Sequence, residues 1–295
     1  MTVVLVPHDL GVEVLAAVPG LEPVRYTPGE RLPRTDAEVI VPQFLAGQDA
    51  TAILKELPDL RLVQLLSAGA EHWIDVVPEG VLLSDCRGAH GGATAEWVLA
   101  VLLATYRALP RFTRAQDRQE WDYDQTEELA GKRVLLVGAG DLGQQTALRL
   151  AAFDVTTTLI GRKDSGRLPE LLPQHDVVVL VLPLTPETEG LVDAAFLAAM
   201  ADGAVLVNAA RGKVVDTEAL VAELQTGRLR ACLDVTEPEP LPSDHPLWQC
   251  PGLLLTPHVG GSVPGGMARA YAVVAEQLAV FARGEDPPNV VRDGY

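Results

Sequence analysis

Three side chains suited to moving a proton or gripping an acid group lie late in the chain, each in a short loop-like segment. They are Arg211 in VNAARGKVVD (Val207–Asp216), Glu239 in LDVTEPEPLP (Leu233–Pro242) and His258 in TPHVGG (Thr256–Gly261). Reducing a ketone that carries a carboxylate needs a hydride donor, a proton donor and a cation for the acid group. Arginine, glutamate and histidine at successive strand ends could supply the last two in one cleft. Each alone also has a plainer reading: a surface arginine, a solvated glutamate in a Pro-Glu-Pro run, a packing histidine. The hydride source is suggested upstream, where Lys132–Gly143 reads KRVLLVGAGDLG, a buried-type strand running into Gly138-x-Gly140-x-x-Gly143 and then a helical pattern over Gln144–Ala152. One glycine permits a tight turn, one lets the backbone approach a pyrophosphate, and one packs helix on strand, so that phosphates sit at a helix N-terminus. With a strand before, a helix after and a further strand at Thr156–Ile160, the pattern reads as a dinucleotide fingerprint.

The second strand ends in Gly161-Arg162-Lys163, with no carboxylate to hydrogen-bond a ribose 2′-hydroxyl. The planar fork of Arg162 and the point charge of Lys163 predict a 2′-phosphate site, hence NADP(H) in preference to NAD(H). Asp164 beside them weighs against it, and two ordinary surface cations are the alternative.

These residues need parallel sheet to position them. Candidate strands in the first third are Val3–Val6, Glu38–Val41, Arg61–Leu66 and Val81–Ser84; a second series runs Arg133–Val137, Thr156–Ile160, Val177–Val181, Ala204–Val207, Ala231–Leu233 and Leu253–Leu255. Alternation with helical patterns predicts βαβ units in two separate sheets. Between the series, the helix after Glu96 is apolar nearly all round from Trp97 to Ala104, so it is expected to be buried on every side, at a domain junction or in a homodimer contact. A final helix, about Pro264 to Arg283, has helical spacing at Ala268, Tyr271, Val274, Ala275, Leu278 and Phe281, and is free to return to the first sheet. The tail Gly284–Tyr295 is expected to be extended.

Composition sets outer limits. The 295 residues suit one large or two ordinary domains, and 48% hydrophobic with 21% charged residues is a globular balance. A formal charge of −17 opposes binding to nucleic acid or an anionic membrane, and any anionic ligand must find local cations and N–H groups. Trp97–Tyr106, the longest charge-free apolar stretch, is too short to cross a bilayer. The first basic residue is Arg25, so the positive start of a secretory signal is missing. Cys86, Cys232 and Cys250 give neither a disulfide framework nor a metal-ligand spacing, and the expectation is a cytoplasmic, metal-free protein.

The glycine loop, PLTPETEGLVD (Pro183–Asp193) and the three segments around Arg211, Glu239 and His258 occur in an order and spacing that resemble the D-isomer-specific 2-hydroxyacid dehydrogenases, of the glyoxylate/hydroxypyruvate reductase kind. The likeness runs from about Gly80 to Val291. It implies an α/β fold of two doubly wound parallel-sheet domains: a Rossmann cofactor domain, residues 97–270, inserted in a flavodoxin-like substrate domain, residues 1–96 plus 271–295. Crossings near Glu96–Trp97 and Pro264–Ala270 would be the hinges. By the same resemblance Arg211 would bind the substrate's carboxylate and 2-oxo oxygen, and His258 would give that oxygen a proton. Glu239, five residues after Asp234, would pair with His258. Asp234 would sit near the nicotinamide or its ribose, and the N–H groups of Ala68, Gly69 and Ala70 would hold the carboxylate. Cofactor contacts would come from Gly138, Gly140, Asp141, Leu142 and Gly143, from Gly161 with Arg162 and Lys163, from Leu182, Pro183 and Thr188, and from Ala209, Ala210, Asp234, His258 and Gly260.

Departures fall in Asp85–Glu96, where Asp85, Arg87 and His90 replace the family's usual asparagine, proline and small polar residue, so Arg87 or His90 could contact substrate. Trp121 and Trp248 could line the cleft or a subunit contact; His8, His72, His175 and His245 read as structural or exposed. The expected substrate is a small anionic 2-oxo or 2-hydroxy acid, such as glyoxylate or hydroxypyruvate. Formate oxidation is disfavoured, because formate dehydrogenases resemble this chain but carry glutamine in place of Glu239. Phosphoglycerate oxidation and a dinucleotide-sensing, corepressor-like binding role are the remaining alternatives.

Overall fold

A computed structural model describes residues 1–44 and 48–292. The chain divides into two compact units, Met1–His90 with Pro264–Tyr295, and Gly91–Val263. The first contains β1 (Thr2–Val6), α1 (Asp9–Ala16), β2 (Leu21–Arg25), β3 (Val39–Ile40), β4 (Leu62–Gln64) and β5 (Leu82–Ser84). They form one parallel sheet in the order β2-β1-β3-β4-β5, the flavodoxin-like arrangement. β1 is apolar from Val3 to Val6 because both faces are covered. Val4 and Val6 join Leu15, Tyr271 and Val274 on one side, while Val3 and Leu5 join Tyr26, Ile40 and Val63 on the other.

β2 escapes sequence reading. Its residues, LEPVR, contain two charges and a proline, yet it pairs with β1 at Val4↔Pro23. It is the outer strand of the sheet, where a residue without an N–H costs no ladder bond.

The second unit contains α2 (Gly91–Tyr106), α3 (Leu109–Asp117), β6 (Arg133–Val137), α4 (Asp141–Leu150), β7 (Thr156–Ile160), α5 (Leu168–Leu171), β8 (Val177–Leu180), α6 (Ala194–Ala199), β9 (Val205–Asn208), α7 (Thr217–Gln225), β10 (Arg230–Leu233) and β11 (Leu253–Leu255). Its six parallel strands run β11-β10-β9-β8-β6-β7. The two faces alternate residue by residue: Val134, Leu136, Val177 and Val179 pack with Val98, Val101 and Leu102 of α2, whereas Leu135, Val178, Leu180 and Leu206 face Leu168, Phe196 and Leu220. Each such apolar side chain withdrawn from water contributes roughly 1.5–3 kcal/mol before chain entropy is set against it. β7 is the sheet's edge, although the standard Rossmann order places a further strand outside it. The reason is local: the connection to β8 is occupied by a 3-10 turn (Arg162–Arg167), α5 and another short turn (Leu172–Gln174).

Helix α8 (Gly266–Phe281) belongs to the first unit and buries Ala270, Tyr271, Val274, Gln277, Leu278 and Phe281. Ala268, expected on that face, is exposed, and Ala275 is half-buried. The unit division falls at His90/Gly91 and Val263/Pro264, ahead of the sequence-based boundaries at 96/97 and 270/271, and so keeps α2 and α8 whole. α2 is not covered on every side by this chain: Ala100 is exposed, and Leu99 and Leu103 are half-buried. The tail extends alongside β5, bridging Ser84↔Val290 antiparallel, with Val291 N–H donating to Leu83 O at 2.8 Å. Residues 293–295 of the expected extended tail lie outside the described residues.

Candidate active site

Each segment singled out in the second unit follows the C-terminal end of a strand. The glycine loop follows β6, Gly161–Lys163 follow β7, Leu182–Thr188 follow β8, Ala209–Arg211 follow β9, Asp234–Glu239 follow β10, and His258–Gly260 follow β11. All strands being parallel, these loops share one edge of the sheet, with the switch in strand order between β6 and β8.

Two of the glycines are required by packing. Gly138 has φ +126°, and a Cβ there would lie 2.3 Å from Val181 O; a Cβ on Gly143 would lie 2.0 Å from Gly138 O. Gly140, which caps α4, would meet nothing within 4 Å. Its missing side chain therefore leaves room directly over the first N–H groups of α4, a fit for a dinucleotide's pyrophosphate. Asp141, the first residue of α4, turns its carboxylate toward the start of α2, where a Cβ on Gly91 would be 2.0 Å from Oδ2.

At the ribose corner Arg162 and Lys163 are exposed. Asp164 folds back on its own turn: its N–H donates to Gly161 O at 2.9 Å, and Gly161 N–H approaches Oδ2 at 3.5 Å. Glu187, after β8, accepts a 2.8 Å hydrogen bond from Thr185 Oγ1. That hydroxyl, with a smaller contribution from the charge on Arg162, holds its carboxyl below the usual range. Thr188 Oγ1 donates to Pro183 O at 2.7 Å and closes the Pro183–Thr188 turn.

Buried Asn208 shapes the loop of Arg211: Oδ1 accepts from Ala210 N–H at 3.0 Å and Nδ2 donates to Arg211 O at 2.9 Å. Arg211 Nη1 donates to Ala210 O at 2.7 Å. The loop lies against the segment leading to Glu239, since a Cβ on Gly212 would be 2.0 Å from Thr236 O.

His258 Nδ1 and Glu239 Oε1 are 2.7 Å apart, and both side chains are more than a third exposed. A carboxylate only accepts, so Nδ1 carries the hydrogen and Nε2 is the ring nitrogen left to meet a substrate oxygen. The backbone of His258 is in the left-handed region, φ +54°, where a side chain is disfavoured. Asp234, 4% exposed, holds it there. Its carbonyl accepts from His258 N–H at 2.7 Å. Its Oδ1 accepts from Thr256 Oγ1 at 2.6 Å and Val259 N–H at 2.9 Å, and its Oδ2 from Gly260 N–H at 2.7 Å. A Cβ on Gly260 would be 2.8 Å from Oδ2 and would also crowd Thr94 and Trp97 of α2. The residue expected beside the nicotinamide or its ribose thus has its carboxylate engaged by the loop that carries His258.

The structure brings Glu239, His258, Asp234 and Gly260 into direct contact or one residue from it, and sets Arg211 on the neighbouring strand end. Sequence reading missed Thr256, Thr94, Trp97 and the anchoring role of Asn208. Only Asn208 had a local signal, a short amide three residues before Arg211 at a strand end. In the first unit, the loop after β4 has Ala68 exposed and Ala70 buried, with Ser67 Oγ donating to Gly69 O at 2.8 Å. Arg87 Nη2 reaches Asn289 Oδ1 at 3.4 Å, and His90 Nε2 donates to Leu66 O at 2.8 Å. Trp121 is 97% exposed, and Trp248 Nε1 donates to Pro242 O at 2.8 Å. His175 bridges Leu171 O and Thr158 Oγ1, His245 accepts from Leu247 N–H, and His8 pairs with Tyr271 Oη. All three cysteines are buried free thiols, and burial pushes the Cys86 thiol up to about 12. Among the described residues no cluster of three His, Cys, Asp or Glu could hold a metal, and no helix is long and apolar enough to cross a membrane.

Comparison with known proteins gives a consistent family. The description "D-isomer specific 2-hydroxyacid dehydrogenase, NAD binding domain" matches residues 99–260, more than half of the chain. A glyoxylate reductase of Thermofilum pendens is 35% identical over 262 residues, covering 81% of this chain and 77% of that protein. A D-3-phosphoglycerate dehydrogenase of Methanocaldococcus jannaschii is 30% identical over 96% of this chain, which spans only 57% of that longer protein. Among solved structures, an NADPH-dependent glyoxylate/hydroxypyruvate reductase from Sinorhizobium meliloti, in complex with NADP and sulfate, superposes with a TM-score of 0.83 at 28% identity, covering 100% of both chains.

Proposed function

The chain belongs to the D-isomer specific 2-hydroxyacid dehydrogenase family, NAD(P)-dependent oxidoreductases of small 2-hydroxy and 2-oxo acids, and on that premise we propose a reductase of glyoxylate, hydroxypyruvate or a similar 2-oxo acid that prefers NADPH. The observation that carries it is the Glu239–His258 pair, fixed through Asp234 on the same sheet edge as the glycine loop.

The unit Gly91–Val263 is assigned to the dinucleotide and the unit Met1–His90 with Pro264–Tyr295 to the substrate. Bound NADPH supplies a hydride to the substrate's carbonyl carbon. Gly138, Gly140 and Gly143 give the pyrophosphate its approach to α4, Arg162 and Lys163 take the 2′-phosphate, and Leu182, Pro183, Thr188, Ala209 and Ala210 line the remaining strand ends. Arg211 binds the carboxylate and polarises the oxo group. His258 donates a proton from Nε2 to the developing alkoxide, while Glu239 holds the ring through Nδ1 and offsets its positive charge. In oxidation His258 takes the proton back. The N–H groups of Ala68, Gly69 and Ala70 are assigned to the carboxylate. The absence of a carboxylate at Gly161–Lys163 and the NADP complex of the Sinorhizobium relative support the phosphate preference. The half-buried apolar flank of α2, with Leu109, Trp121 and Tyr123 exposed beyond it, supports a homodimer through this region. Sedimentation as a monomer at micromolar concentration would remove that part. Free buried cysteines and the acidic charge suit a reducing cytoplasm.

The test is NADPH oxidation, followed by absorbance, against a panel of 2-oxo acids. Turnover is expected, and His258→Ala should lower it by about 100-fold or more at neutral pH. Tight NADPH binding with no consumption by any acid would overturn the enzyme reading in favour of a dinucleotide sensor.

A further inference from the structure

In the first unit, the loop after β4 is tied to the segment Asp85–His90 at two points. Cys86 N–H donates to Ser67 O at 2.8 Å, and His90 Nε2 donates to Leu66 O at 2.8 Å. Leu66 is 2% exposed, so its carbonyl stands where water does not replace a lost partner, and leaving such a group unmet is costly. The imidazole is held from the side by Phe44, ring centroids 5.5 Å apart. The backbone next to it is held from α8, because Arg269 Nε donates to Ala89 O at 3.1 Å. A carbonyl only accepts, so the Nε2 hydrogen of His90 is committed to Leu66. Arg87 is directed toward Asn289 in the tail.

We propose that His90 is a positioning residue: by pinning the Leu66 carbonyl, with Arg269 bracing its own backbone, it sets the following residues so that their N–H groups converge on the substrate's carboxylate. The proposal rests on the reading that Ala68, Gly69 and Ala70 bind that group. Backbone donors grip an anion only when they point to one place, and a displacement of about 1 Å can cost up to roughly 100-fold in rate.

The experiment uses the full-length protein and the 2-oxo acid turned over fastest in the panel, alongside its neutral ethyl ester. His90→Phe keeps a ring beside Phe44 but has no donor; His90→Gln restores a donor of similar reach. His90→Phe is expected to raise KM for the acid about 10-fold, to change kcat and the NADPH Kd little, and so to erode the preference for acid over ester. His90→Gln should recover most of that preference. An unchanged acid-to-ester ratio in His90→Phe, or His90→Gln as impaired as His90→Phe, overturns the proposal. Ala68→Pro, which deletes one N–H of the loop, separates the two readings. If it lowers the ratio and His90→Phe does not, the positioning role alone falls; if it leaves the ratio untouched, the carboxylate reading of the loop falls and takes the His90 role with it.

Discussion

The loop that carries His258 and the corner that carries Arg162 occupy the same edge of one sheet, but they are built in opposite ways. Around His258 a disfavoured backbone angle is fixed by a buried carboxylate that accepts from three donors, a carbonyl that accepts a fourth, and a glycine that admits no side chain. Around Arg162 the cations are exposed on a 3-10 turn, the side-chain bond that caps it, from Gly161 N–H to Asp164 Oδ2, is 3.5 Å long, and an acid on the next loop competes for the charge. A proton donor works only at a set distance and angle, so its loop is held by several buried hydrogen bonds at once. Selection between two dinucleotides that differ by one phosphate is a matter of local charge, and it tolerates a loose surface.

The sharpest way to break this contrast is Asp234→Ala. Leaving the N–H groups of Val259 and Gly260 and the Thr256 hydroxyl without their acceptor should cost on the order of 2–3 kcal/mol of stability and lower kcat by about 100-fold. A thermal melt and turnover near normal would mean that the loop keeps its shape unaided. Glu239→Gln is next: kcat should fall about 10-fold at neutral pH with NADPH affinity unchanged, because only the partner of His258 Nδ1 is altered. At the corner, Arg162→Ala should raise KM for NADPH by about 10-fold while leaving NADH almost unaffected, and added salt should weaken the wild-type preference, as befits exposed charges. A wild-type enzyme that favours NADH would refute the phosphate site altogether. Glu187→Gln should have the smallest effect, a fall of about twofold in KM for NADPH as a competing charge is removed.

What the sequence disclosed follows the same division. Glycine spacing and buried apolar strands are local patterns, and they set the glycine loop, Arg211, Glu239 and His258 just after the strands that the structure shows. β2 was hidden because its place at the sheet's edge, which excuses Pro23, is a property of the assembled sheet. The partial cover of α2 is likewise set by what packs alongside. The donors around Asp234 come from residues twenty or more positions away, and no spacing rule pairs Thr256 with it. The left-handed angle at His258 is invisible for the same reason: histidine visits that region more often than most side chains, but it is the contacts with Asp234 that fix it here.

The split composition of the first unit bears on how the protein comes to be made. Tyr271 of α8 fits over Gly11 so closely that a Cβ there would stand 2.6 Å from the ring, and the sheet facing it includes β1. On the ribosome, the opening strands must therefore wait, their apolar face uncovered, while the whole of the inserted unit is synthesised and can collapse on its own core. Only when α8 emerges can the earliest segment of the chain be sealed, which makes the nascent amino-terminal third the stretch most in need of a chaperone.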